Sequence, residues 1–439
     1  MRKMLIALLG LAILASASAF ATSTRTLVMG DNNMIMVDDN NMSLFPGRVN
    51  KYPNLALGEF AYYNQMYSFG VTWQFNETNP WVLGTFISEQ PGFGPQDFTG
   101  SDLARFPNWF YNFGFGHFYN GPYTSYSEPR RVQLLYGRQF GGYDFGVSLD
   151  VVRYGWKADQ DSTVNIHLSN KAKQNFHQYT LGLGLTEATT GKWDLGLQVM
   201  FGGWTNEYDT GDKINKPKGF MDISVAGRYF MVRNPKLTFV PHIQAGTGKR
   251  GVENYDNPND GVFAIRRDSV WTMENSLTMI DLGAGFNYTP GPNMLAVFDV
   301  GFMYMMNKKK YSGNGFHADT TGGNWMEVGE WKATYFTFPY LRIGFEGEVF
   351  NWMDVRAGGT SSLWFNTHKY ETDFGLNETY DYTSNQTYLG LGLHWGKLYL
   401  DTYTDPRVLL KGFEFISGND GDGSNYDLNY QVSMIYEMF

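Results

Sequence analysis

The most constraining feature of this chain is an alternation with a period of two that recurs along most of its length. Tyr143, Phe145, Val147, Leu149 and Val151 interleave with Asp144, Gly146, Ser148 and Asp150. Trp193, Leu195, Leu197 and Val199 interleave with Asp194, Gly196 and Gln198, and Ile280, Leu282, Ala284 and Phe286 with Asp281, Gly283 and Gly285. Successive side chains of a strand point to opposite faces. Each such run therefore predicts a strand with one apolar face, often ending in an aromatic, and one face of Gly, Asp, Ser or Gln. A secreted β-sandwich alternates as well. Gly recurring on the polar face distinguishes the two folds, because a barrel interior tolerates it and a packed core does not.

The connections point the same way. Short links at Gly141-Gly142, Thr189-Thr190-Gly191, Pro290-Gly291-Pro292 and Gly396-Lys397 take turns with long polar or aromatic stretches at 91–130, 155–176, 204–218, 248–275, 306–331 and 367–384. Short periplasmic turns and long extracellular loops mark an outer-membrane β-barrel. Strand starts fall near 57, 67, 80, 131, 143, 177, 192, 219, 236, 276, 293, 332, 353, 385, 397 and 428. The fold class expected is all-β: an antiparallel transmembrane barrel of sixteen strands, or fourteen if the runs at 57 and 67 fail. An even number returns both ends to the periplasm.

Composition then excludes other classes. The 439 residues contain no Cys, which removes disulfide scaffolds and thiolate metal sites. The net charge of −9 argues against nucleic acid as the main partner. Aromatic residues make up 17% and charged residues only 18%, against roughly 25% charged in ordinary soluble domains. A mean hydropathy of −0.35 fits a barrel, since only alternate strand residues meet lipid. Arg2 and Lys3, the apolar run Met4–Ala15 and Ala19-Phe20-Ala21 read as a signal peptide over 1–21. Residues 22–56 then form an N-terminal periplasmic or plug segment, and 57–439 the barrel. The expected location is the bacterial outer membrane, with its lipid and the barrel assembly machinery as partners. Small solutes complete the expected partners, and the oligomeric state stays open.

Within 22–56, Arg25, Met29-Gly30 and Asp38-Asp39 follow one another in an order that resembles the N-terminal segment of long-chain fatty-acid transport porins. Leu44-Phe45-Pro46-Gly47 stands where those proteins carry Asn-Pro-Ala. The resemblance implies a segment that plugs the barrel. The C-terminal run Tyr430–Phe439 resembles the terminal signal of outer-membrane proteins. Its apolar face is Tyr430, Val432, Met434, Tyr436 and Met438, which leaves Phe439 on the other parity.

Parity also assigns candidate lumen residues: Asp150, Asp194, Asp222, Arg228, Asp281, Asp299, Arg342, Glu346, Asp354 and Arg356. A charge facing lipid costs about 2–4 kcal/mol at the midplane, so these belong inside, to tune a pore or to brace the wall in pairs. The longest loop carries an aromatic cluster, Phe106, Trp109, Phe110, Tyr111, Phe113 and Phe115, which either folds into the lumen or caps the mouth. His167-Leu168-Ser169-Asn170 resembles the His-x-Ser-Asn segment of outer-membrane phospholipase A, with Lys171 in place of the following Gly. Asp420–Asp427 reads as a calcium-loop fragment or as a polar turn. No cofactor or metal site is expected. The chain is read first as a channel for small, partly apolar solutes, alternatively as a closed docking barrel, and lastly as a hydrolase.

Overall fold

A computed structural model describes residues 23–61, 66–76, 80–89, 130–159, 171–208, 213–253, 271–313, 329–371, 377–404, 406 and 430–438. Hairpins follow one another along the chain. The first strands are β1 (Leu55–Ala61), β2 (Met66–Phe75), β3 (Trp81–Glu89) and β4 (Arg130–Phe140). Next come β5 (Tyr143–Asp159), β6 (Lys171–Glu187), β7 (Trp193–Tyr208) and β8 (Lys213–Tyr229). A short β9 (Met231–Asn234) precedes β10 (Leu237–Glu253), β11 (Trp271–Tyr288), β12 (Met294–Gly313) and β13 (Gly329–Phe350). The set ends with β14 (Met353–Glu371), β15 (Asn377–Trp395), β16 (Leu398–Thr404) and β17 (Tyr430–Glu437). Both β8 and β9 pair with β10 and are separated only by Phe230, so they are two parts of one stave. Seventeen strands thus make sixteen staves. Every pairing is antiparallel between sequence neighbours, and β1 closes the ring on β17, with Leu57 opposite Ile435.

The runs near 57 and 67 are therefore strands, and the barrel has sixteen staves rather than fourteen. One expectation needs correction. Stretches read as loop at 155–176, 204–218, 248–275, 306–331 and 367–384 are partly strand, since β5 reaches Asp159, β10 reaches Glu253, β11 begins at Trp271, β12 reaches Gly313, and β15 begins at Asn377. A strand crosses the hydrocarbon in about 9–11 residues, whereas β13 has 22 residues. Beyond the bilayer the ladder continues in water, where no apolar face is needed, so the hydropathy pattern fades before the hydrogen bonds do.

The outer wall is apolar. Leu181, Leu183 and Leu185 on β6, Ile223 and Val225 on β8, and Ile343 and Phe345 on β13 are exposed. Their alternates Gly182, Gly184 and Asp222 face the lumen. Aromatic residues ring the short-turn end: Phe75 stacks on Trp81 at 4.2 Å, Phe350 on Trp352 at 5.5 Å, and Tyr143 lies 5.8 Å from Trp193. Tyr288 and Trp395 are exposed at the same level. Such belts place amphipathic rings at a membrane interface. On β17, Met434 and Tyr436 face outward as the alternation predicts, while Ile435 is wholly buried. Phe439 lies outside the described residues. No helix among them is long and apolar enough to cross a membrane; the crossing is made by strands.

Candidate functional site: a segment belted inside the lumen

Residues 23–54 lie inside the barrel. They form a short helix α1 (Ser23–Val28), two 3-10 turns (Asp39–Met42 and Pro46–Lys51) and the links between them. The chain bends at Gly30 and Asp31, both with positive φ. From there it runs to β11, returns beside α1 at Asp38, faces β1–β4 over Asp39–Ser43, and then follows β7 to β2 into β1. α1 packs on β14–β17, and Ile35 meets β11 at Gly285. Leu44 then meets β7, and the Pro46–Lys51 turn lies on β3–β6. Tyr52 reaches β2, where Thr72 Oγ1 donates to its carbonyl at 2.5 Å. Ile35, Leu44, the Pro46–Lys51 turn and Tyr52 thus meet successively earlier staves, while the Asp39–Ser43 stretch between them crosses the bore to face β1–β4.

Glycines on the inward parity make room for it. Gly137, Gly146, Gly184 and Gly196 stand directly opposite one another on β4, β5, β6 and β7. A Cβ on Gly146 would come within 2.1 Å of the Pro46 backbone, and one on Gly184 within 2.5 Å of it. One on Gly196 would lie 2.3 Å from the Leu44 carbonyl oxygen, and one on Gly137 2.2 Å from Val49. Across the lumen, Gly344 and Gly358 are also cross-strand partners, and a Cβ there would strike the Met29 and Val28 carbonyls at 2.4 and 2.1 Å. The sequence alternation showed that glycines face inward. Their purpose, close approach of a second backbone, appears only with the segment in place.

Ion pairs fasten this belt. Arg48 grips Asp194 with two contacts, Nε at 2.7 Å and Nη2 at 2.8 Å. Arg228 reaches the same carboxylate at 2.6 Å. It then donates to the carbonyls of Asn33 (2.9 Å) and Met36 (2.6 Å) and to Asn41 Oδ1 (2.7 Å). Its guanidinium also lies over the Phe45 ring at 4.6 Å. A second clamp joins Arg25 to Glu346 at 2.6 and 2.8 Å; Arg356 shares that carboxylate at 2.5 Å and also pairs with Asp401. Burial works against the Arg25 charge, but Glu346 together with Asp38 and Asp401 outweighs it and holds the guanidinium above its ordinary range. Lighter ties are Lys51 to Asp144 (2.9 Å), Asn287 to the Ile35 carbonyl (2.7 Å), Gln198 to the Ser43 carbonyl (2.9 Å) and Thr24 to Ser433.

The belt also carries a buried acidic pair. Asp38 accepts from Thr26 Oγ1 at 3.2 Å and from the Asn40 N–H at 3.3 Å. Burial raises the affinity of both Asp38 and Asp39 for protons. Asp39 is pushed well above the usual carboxylate range, because the Asp38 carboxyl and, farther off, Glu59 and Asp401 add to the effect of burial.

The ten charged residues assigned to the lumen by parity lie as follows. Asp194, Arg228, Glu346 and Arg356 form the two clamps. Asp354 approaches His394 at 3.0 Å and Arg356 at 3.5 Å. Asp299 meets His242 at 3.0 Å and Arg342 at 3.6 Å. Asp281 accepts from the Tyr340 hydroxyl at 2.8 Å, and Asp150 is held by Arg131 Nε at 2.7 Å. Asp222 is buried against Gly248. Sequence reasoning did not single out Arg48, Asp401, Arg131, His242 or Tyr340. Asp401 has the inward parity, but Leu398 and Leu400 beside Tyr399 blur the alternation there. The aromatic cluster at Phe106–Phe115, the His167–Asn170 segment and Asp420–Asp427 lie outside the described residues.

A closed antiparallel barrel with an apolar outer wall, an aromatic girdle and charged groups turned inward is an outer-membrane β-barrel, the architecture of the Gram-negative outer membrane. Among solved structures its fold is similar to CdiB from Escherichia coli, with 9% identity over 87% of this chain and 62% of that one and a TM-score of 0.41. It is similar to the toluene transporter TodX from Pseudomonas putida, with 9% identity, 94% and 97% coverage and a TM-score of 0.36. It is also similar to the ferric yersiniabactin uptake receptor FyuA from Yersinia pestis, with 8% identity, 88% and 80% coverage and a TM-score of 0.33. No protein-family model and no curated protein matches the chain.

Proposed function

We propose that this barrel passes small solutes across the outer membrane and that residues 23–54 are its closure. One observation carries the reading. The belt is attached to the wall by side-chain ion pairs, by hydrogen bonds that involve a side chain and by contact with glycines. Its backbone bond to the wall, Met438 N–H to the Asn54 carbonyl, lies where it enters β1, so residues 23–53 can leave without breaking a bond between strands. A wall that keeps its own bonding while its filling moves is what a gated bore requires. The leader over 1–21 delivers the chain to the periplasm, and 57–439 supplies the wall. The alternative of a closed docking barrel draws on the depth of the clamps, since Asp194 and Arg228 are both fully enclosed.

Conductance in planar bilayers separates the two. The intact chain is expected to show little current, and the chain lacking residues 23–50 to show large, stable steps. A truncated barrel that folds and still stays shut would overturn the transport reading and leave the docking one.

A further inference from the structure

A cavity opens between the Asp39–Ser43 stretch of the belt and the inner faces of β1–β4. Its two sides differ. Met42, Leu57, Phe86 and Leu135 form an apolar side continuous with a cluster that includes Tyr52, Leu55 and Ile435. The other side is polar: the Glu59 carboxylate, which accepts from Ser433 Oγ at 2.8 Å, the Asp39 carboxyl, and the hydroxyls of Ser68 and Ser88, which can donate or accept. Gln133 also lines it. The residue is over nine-tenths buried, yet the contacts of its amide with the Ser43 hydroxyl are both 3.4 Å long, near the limit of a hydrogen bond. A buried amide so loosely held has capacity for a closer partner.

The charges choose the partner. Among the described residues Arg131 is the one cation lining the cavity, and both its Nε and Nη2 already point at one oxygen of Asp150. An incoming carboxylate would compete with Asp150 for Arg131 while facing the Glu59 carboxylate. An incoming ammonium meets the Glu59 carboxylate on β1 and hydroxyl oxygens on β2 and β3, and the Phe86 ring can hold a cation against its face. We infer that this cavity binds a small primary amine with a compact apolar body, the ammonium toward Glu59 and the body on Phe86, Leu57 and Leu135.

The inference rests on the transport reading of the lumen and gives it a solute class. It is tested on the intact chain in detergent by calorimetric titration with three probes of one shape: 2-phenylethylamine, 2-phenylethanol and 3-phenylpropionate. The amine is expected to bind saturably and at least tenfold more tightly than the acid. Glu59→Gln is expected to weaken the amine about tenfold and to leave the alcohol unchanged, while Phe86→Ala weakens amine and alcohol alike. Absence of saturable amine binding, equal affinity for amine and acid, or an amine affinity indifferent to Glu59→Gln would each overturn it. If those results appear while removal of residues 23–50 still opens a pore, the amine site falls and the transport reading stands. If the amine binds and the pore never opens, the reverse holds.

Discussion

Gly184 is worth most at the scale of one residue, because it has nothing to contribute except absence. Any side chain there would meet the Pro46 and Gly47 nitrogens at 2.5 and 2.6 Å, and both belong to a backbone that cannot swing aside as a side-chain tip can. Gly184→Val is therefore expected to lift the Pro46–Lys51 turn off the wall while the β-branched residue suits the strand. The measurement is proteolysis within 23–54 together with bilayer conductance, both of which should rise while the barrel stays folded. Gly142→Val is the control, since a Cβ there has nothing within 4 Å; a rise in both variants would detach the effect from the belt. Parity alone turned Gly184 and Asp194 inward. It could not name the partner of Asp194, since Arg48 lies 146 residues away and nothing local in either sequence marks the other.

At the scale of the element, the Asp38–Asp39 turn governs how the belt responds to acid. Both carboxyls bind protons more readily in the docked belt than at the ordinary 3.8. A raised value favours the docked state while the groups are protonated, so the contribution is complete below about pH 4 and is lost as pH rises through the raised value. The groups facing the pair act both ways, with Arg25 favouring ionisation and Glu59 and Asp401 opposing it. Protease susceptibility of residues 23–54 is expected to grow as pH rises from about 4 toward 8. Asp39→Asn should flatten that dependence, and an unchanged slope would remove the pair from the account. The strand elements were legible for a plain reason: each needed an apolar face toward lipid, which writes a period of two. The belt needed none. Its two 3-10 turns and six-residue helix are too short for a period of their own, so its course around the wall could not be read.

For the whole molecule, the solvent on either side of the wall decides what each face tolerates. Leu181 faces outward from β6, 41% exposed, between the girdle at Tyr143 and Trp193 and the stacked pair Tyr179 and Phe201, whose rings are 5.5 Å apart. Leu181→Arg should cost about 2–4 kcal/mol if that level is the bilayer centre, read as a lowered urea midpoint for the barrel folded into lipid vesicles. A cost near zero would mean that this face meets water or protein instead. The apolar wall and the strand count were available from the chain alone. Whether the inward charges tune a pore or brace the wall was not, because that depends on what fills the bore.

The circuit of residues 23–54 begins with Thr24 against Ser433 on β17 and ends by entering β1 at Leu55. Those two strands are the ones that meet to close the ring. The two ends of the segment therefore meet at the seam, and between them it loops across the bore and back along the wall. A loop tied at so many points has one length. A barrel enlarged or reduced by a hairpin would leave it slack or short, with Gly146, Gly184 and Gly344 no longer beneath the stretches they accommodate. The filling thus gauges the vessel: a ring of sixteen staves is the bore this stretch of chain fits.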